Sequence, residues 1–230
     1  MNYTNTLKRA LALTLSTAIL TLSGCGNSDK PEKPAPKAEV SAINDGGEPS
    51  GSKILIAYFA VAENSDVDAE ASASATSDGR GRMKAMADMI QIETGGDLFS
   101  IRTSVEYPGD GAKLIDYADK EQKDYVRPEL TSHIENLDDY DVIFVGYPNW
   151  WFDMPMVMYS FFDEYDFSGK TIVPFNSHNG SGFSNTIKTI QSLEPDANVI
   201  SDGFTVNEKD VESSAEDIAE WVNGLGYSKE

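Results

Sequence analysis

Three segments concentrate the residues best suited to chemistry in this 230-residue chain. Residues 146–155 read Gly-Tyr-Pro-Asn-Trp-Trp-Phe-Asp-Met-Pro. Adjacent side chains diverge, so Trp150 and Trp151 are not both expected in the core. At least one should face a cleft or solvent, where an indole offers a flat π surface to a planar ring; the alternative is that both pack under loops. Residues 174–183 read Pro-Phe-Asn-Ser-His-Asn-Gly-Ser-Gly-Phe. Gly180 and Gly182 permit close backbone approach to a ligand, though ordinary turns carry the same residues. His178 is either a hydrogen-bonding loop histidine or a proton donor beside that ligand. Residues 77–82, Ser-Asp-Gly-Arg-Gly-Arg, stand just before a predicted helix. Arg80 and Arg82 there can hold a phosphate bidentately near a helix N-terminus, or simply neutralise nearby acids.

Other chemistries find no support. No His/Asp/Glu spacing suggests a metal site, and no Ser-centred nucleophile motif occurs. Met83, Met86 and Met89 read as core filling, as do Tyr159, Phe161, Phe162 and Tyr165.

The elements that must position these segments are legible as periodicities. Residues 54–59 (ILIAYF) and 141–147 (DVIFVGY) are short, nearly continuous apolar runs, as in strands buried on both faces. Residues 97–102, 170–175 and 198–204 read as three further strands. Helices are predicted from Met83 to Gly95-Gly96, over 112–125, over 154–165 and over 184–193. A last helix, with apolar residues at 211, 215, 218, 222 and 225, takes Asn207 as its cap. Strands alternating with helices argue an α/β fold: a doubly wound parallel sheet with helices on both faces. Ligands of such sheets bind beyond the carboxyl ends of the strands.

The N-terminus reads as targeting, not fold. Lys8-Arg9 precedes an apolar run over 11–22 that is too short to span a bilayer. Leu22-Ser23-Gly24-Cys25 then resembles the bacterial lipobox. Residues 1–24 are therefore expected to be a lipoprotein signal peptide, and Cys25 the lipidated new N-terminus. Cys25 is the only cysteine, so its lipidation excludes disulfides, thiol catalysis and cysteine-based metal sites. Residues 26–52 are rich in Pro, Gly and charge, a flexible tether. The ordered domain is expected over 53–228, anchored to a membrane outside the cytoplasm, periplasmic or at the cell surface. The formal charge is −20, and removing Lys8 and Arg9 makes it two units more negative. That balance repels nucleic acid and anionic headgroups and suits a cationic partner.

Five stretches together resemble the flavodoxin-like family: ILIAYF (54–59), GGDLFSI (95–101), KEQKDYVRPEL (120–130), VGYPNWW (145–151) and YDFSGKTIVPFNSHNGSGF (165–183). The resemblance implies a five-stranded sheet of order 2-1-3-4-5, FMN binding and electron transfer. In that order strands 1, 3 and 4 are neighbours, and their loops are 60–82, 148–155 and 176–182. It further implies that Tyr147, Pro148, Asn149, Trp150 and Trp151, with Ser177, His178, Gly180, Ser181 and Gly182, line the flavin ring. The loop after strand 1 departs from the family. Ala60-Val61-Ala62-Glu63-Asn64-Ser65 replaces a hydroxyl-rich phosphate loop, and only Asn64 and Ser65 keep its pattern. Glu63 stands in place of a glycine, where it should repel phosphate. Ala62, Asn64 and Ser65 remain candidate phosphate-loop residues, with Arg80 and Arg82 as compensation. The preferred reading is an FMN carrier that exchanges electrons with a redox protein or membrane donor. The alternatives are an FMN-dependent quinone-type reductase, or a cofactor-free binding lipoprotein on the same scaffold.

Overall fold

The computed structural model describes residues 53–65, 81–109 and 111–229. The expected signal peptide, Cys25, the tether and Arg80 lie outside the described residues. Among the described residues no helix is long and apolar enough to cross a membrane.

A parallel sheet forms the centre. Its strands β1 (Ile54–Tyr58), β2 (Asp97–Ser100), β3 (Val142–Pro148), β4 (Thr171–His178) and β5 (Asn198–Val199) lie in the order β2-β1-β3-β4-β5. All five residues of β1 are buried, which is why the segment reads as an unbroken apolar run rather than an alternation. Helices α1 (Arg82–Thr94), α2 (Gly111–Lys123), α3 (Met156–Glu164), α4 (Thr186–Leu193) and α5 (Ala215–Gly224) intervene.

Successive strand residues feed two separate cores, one on each face. Leu55, Ala57, Ile143, Val145 and Ile172 join Val157, Met158 and Phe161 of α3 and Ile190 of α4. Ile54, Ile56, Val142, Phe144 and Val173 join Met83, Met86 and Ile90 of α1 and Ile218 and Val222 of α5. The methionines at 83 and 86 are thus core residues. Gly146 in β3 is required by close packing. A Cβ there would lie 2.1 Å from the Phe175 ring on neighbouring β4.

Two expectations at the C-terminal end need correction. The predicted strand over 198–204 is two strands. β5 pairs with Thr171 and Ile172, and β6 (Phe204–Asn207) pairs with Phe175 to His178, both along β4. Ser201-Asp202-Gly203 between them is turn chemistry, and it breaks the edge strand without moving it to a new partner. Asn207 does not cap the last helix. It ends β6, its Oδ1 accepts the Lys209 N–H at 3.2 Å, and α5 begins only after Ser214.

One buried acid ties stability to pH. Glu194 follows α4 and is only 9% exposed. Burial pushes its carboxyl up from 4.5 to about 7, against a hydrogen bond from the Phe167 backbone, while Asp166 and Asp163 push the same way as burial. The folded state therefore binds this proton more tightly than the unfolded chain. The penalty is absent below about pH 4.5, grows as pH rises, and is complete above about pH 7. Replacing Glu194 by Gln should raise the melting temperature at pH 8 and leave it nearly unchanged at pH 5. Thermal melts at the two pH values check this, and an equal gain at both contradicts it.

Candidate functional site

The loops after β1, β3 and β4 meet at one edge of the sheet because these three strands are parallel neighbours. Between them lie two adjoining hollows. A small cavity of about 70 Å³ is lined by Ala60, Val61, Gly81, Arg82, Met83, Pro148, Asn149, Trp150, Ser177, His178, Asn179 and Glu208. A cleft of about 490 Å³ shares Asn149, Trp150, Asn179 and Glu208 with it, and adds Trp151, Phe152, Ser181 and the α2 residues Gly111, Leu114, Ile115 and Ala118. That volume falls within the roughly 300–1,000 Å³ of small-molecule sites.

The two tryptophans divide their roles. Trp150 stacks edge-on against Phe59 and Tyr107, with ring centroids 5.9 and 5.6 Å away, yet still borders both hollows. Trp151 is 49% exposed, and its Nε1–H donates to the Ile115 carbonyl at 3.1 Å. Trp151 and Phe152 occupy the two centre positions of a tight turn closed by mutual Trp150–Asp153 backbone hydrogen bonds. Both have positive φ, 49° and 65°, in a turn that ordinarily takes Asn-Gly. Left-handed aromatic residues cost roughly 1–3 kcal/mol each. The surroundings clamp the turn: Gln122 donates to the Trp150 carbonyl at 2.7 Å, and Asp153 accepts from the Met154 N–H and the Tyr159 hydroxyl. The result is that Phe152, 70% exposed, and Trp151 stand at the cleft.

The loop after β4 is held from beneath. Asn149 and Asn176 both donate to the Gly182 carbonyl, at 2.8 and 3.2 Å, and Thr205 of β6 donates to Asn176. Gly180, at φ 96°, adopts a conformation that other residues rarely reach, and nothing lies within 4 Å of where its Cβ would be. Its N–H donates to His178 Nδ1 at 2.9 Å, which leaves the neutral imidazole's proton on Nε2. Burial lowers the His178 pKa, with the Glu208 carboxylate opposing. Asn149 lines both hollows, while its Oδ1 is buried beneath their surface and has no hydrogen-bond partner among the described residues.

The small cavity sits at the start of α1. Gly81 precedes the helix without a side-chain cap, and no acid occupies the first turn, so the positive end of the helix dipole faces the hollow. Arg82 lies at its edge. Its Nε–H donates to the Glu208 carbonyl at 3.0 Å, and its guanidinium stands 3.7 Å from the Glu208 carboxylate.

The predicted site residues therefore separate. Pro148, Asn149, Trp150, Trp151, Ser177, His178, Ser181 and Arg82 line the two hollows; Gly180 and Gly182 shape the loop beside them. Tyr147 does not line the site. It is fully buried, with its hydroxyl donating to Thr186 at 2.8 Å. Asn64 is a fastener: its amide donates to the Ala60 and Ile101 carbonyls, and its Oδ1 accepts the Thr103 N–H. Ser65 borders a different, polar cavity with Glu63, Arg102 and Thr131. Ala62 lines none of these three hollows. The expected repulsion by Glu63 does not arise, because its carboxylate turns away to Tyr58, Ser100 and Arg102. The sequence reading missed Glu208, Asn179 and the apolar side of α2. Glu208 was hidden by the misplaced helix start, and Leu114, Ile115 and Ala118 carry only ordinary helical spacing.

The flavodoxin family model matches residues 53–225. No curated protein matches the chain. Among solved structures, a Bacteroides uniformis protein provisionally assigned as a flavoprotein is 27% identical, with a TM-score of 0.56; the match covers 75% of this chain and 99% of that one. A Bacteroides eggerthii protein of the same provisional assignment is 28% identical, with a TM-score of 0.54, covering 73% and 98%. A Lactobacillus acidophilus flavoprotein in complex with FMN shares the fold at 18% identity and a TM-score of 0.50, covering 70% and 97%. With the strand order, the site at the ends of β1, β3 and β4, and a family match over residues 53–225, the chain belongs to the flavodoxin family.

Proposed function

We propose that this protein binds FMN and transfers electrons outside the cytoplasm, tethered to a membrane by lipid on Cys25. The observation that carries the flavin reading is the pair of adjoining hollows. One is a tryptophan-lined cleft, and the other is a small cavity at a helix N-terminus whose N-cap, Gly81, offers no side chain, beside an arginine. The pair suits a planar ring joined to a phosphate. Likeness to the two Bacteroides proteins supports the flavin over other planar ligands.

FMN supplies redox chemistry when bound; the chain's residues bind and orient it. Trp150 and Trp151 offer the ring a hydrophobic face, and Asn149 holds the neighbouring loop in place through the Gly182 carbonyl. The N–H groups of α1 and the Arg82 guanidinium would hold the phosphate. His178 stays neutral near pH 7, because burial lowers its pKa, so it adds no positive charge to the small cavity that it lines. The chain's net charge of −20 makes further negative charge on the flavin less favourable and favours a cationic redox partner. Nicotinamide nucleotides are cytoplasmic, so a redox protein or membrane donor supplies the electrons.

Two measurements test this reading. Titrating FMN into the mature protein should quench tryptophan fluorescence, and Trp151→Ala should weaken affinity about tenfold through lost stacking. A colourless protein whose fluorescence FMN leaves unchanged overturns the flavin reading. For the anchor, cells fed labelled palmitate should label the wild-type protein and not Cys25→Ser. Equal labelling of both overturns it.

A further inference from the structure

We propose that Glu208 sets how strongly this site prefers a phosphorylated flavin, by competing with the phosphate for Arg82. The inference rests on the flavin reading above. Glu208 follows β6 and borders both hollows. Its backbone is pinned to the site: its N–H donates to the His178 carbonyl at 2.7 Å, and its own carbonyl accepts from Arg82 Nε at 3.0 Å. Its carboxylate stands 3.7 Å from the Arg82 guanidinium, with the two side chains 41% and 23% exposed. An anion arriving at the start of α1 therefore meets a cation that already has a counter-charge. It meets the Glu208 negative charge as well.

The consequence is specific to the phosphate. A bound phosphate would have to share Arg82 with the carboxylate or displace it, so part of the favourable phosphate–arginine interaction is offset by Glu208. A flavin without phosphate places no charge near this pair and feels little of it. Glu208 thus narrows the advantage of FMN over riboflavin. Its partial exposure limits the effect through solvent screening. The same exposure gives the carboxylate room to swing out toward solvent when a phosphate enters, while the backbone bonds keep Arg82 in place.

Glu208→Gln removes the charge and keeps the side-chain size. Both backbone hydrogen bonds to Glu208 survive, because they use main-chain atoms. Isothermal titration of FMN and of riboflavin into the full mature protein, wild type and Glu208→Gln, separates the outcomes. The proposal expects FMN to bind about fivefold more tightly to the variant, riboflavin to change less than about twofold, and the FMN gain to shrink in high salt. Equal melting temperatures of the two proteins would show that folding is unaffected. An FMN affinity that is unchanged, or that changes in parallel with riboflavin, overturns the role of Glu208 while leaving flavin binding standing. Failure of both proteins to bind either flavin overturns the functional reading and this inference together.

Discussion

Parallel pairing of β1, β3 and β4 is the constraint from which the site follows. Residue-by-residue register along Ile54–Tyr58, Val142–Pro148 and Thr171–His178 brings three loop origins to one edge. No contact within any single loop could do this. The register in turn depends on close packing, seen most clearly where Gly146 leaves room for the Phe175 ring. From that edge side-chain amides fasten the first and third loops. Asn64 ties the first loop to Ile101 and Thr103 just after β2, while Asn149 and Asn176 fasten the third through one carbonyl, Gly182. Backbone held this way gives a ligand a preformed surface, which lowers the ordering cost of binding.

Buried side-chain polar atoms fasten this edge: Asn64 is used three times, Asn176 twice and Tyr147 once. Ser65 Oγ, Glu121 Oε2, Asn149 Oδ1 and Ser160 Oγ have no partner among the described residues, so an orphaned acceptor does not by itself mark the site. The turn at Trp151 and Phe152 does, because it holds backbone strain to place aromatic side chains where burial gives them little. Strain of this kind persists only where surrounding bonds over-determine it, and Gln122, Asp153 and Tyr159 supply them. That strained turn borders the cleft.

Most of the fold was legible in the sequence because the central strands are buried on both faces and so read as plain apolar runs. The family's strand order then placed the right loops together. The edge was less legible. Residues 198–204 look like one strand because Val199 and Phe204 are both apolar, yet the turn residues between them divide it, and that error displaced the last helix and concealed Glu208. The loop after β1 was misread in a different way. Aligned positions suggested that Asn64 and Glu63 face a phosphate, but side-chain direction decides, and both turn away toward β2 and the residues beyond it. One-dimensional spacing carries no information on which side of the 3-10 turn at Val61–Glu63 a side chain leaves. Ala60, by contrast, does line the small cavity, so the missing hydroxyl there is a real difference from the family pattern.

Among the described residues, the anion end offers a helix N-terminus, Arg82 and the opposing Glu208 carboxylate. The wide cleft, bordered by Trp150 and Trp151, is the larger of the two hollows and would take the ring of the proposed ligand. The structure of the complex with FMN tests this most directly. The account predicts the ring against Trp150 and Trp151, and the phosphate at the start of α1 beside Arg82. A flavin bound with its ring outside the cleft, or with its phosphate at the polar cavity beside Arg102, would contradict it.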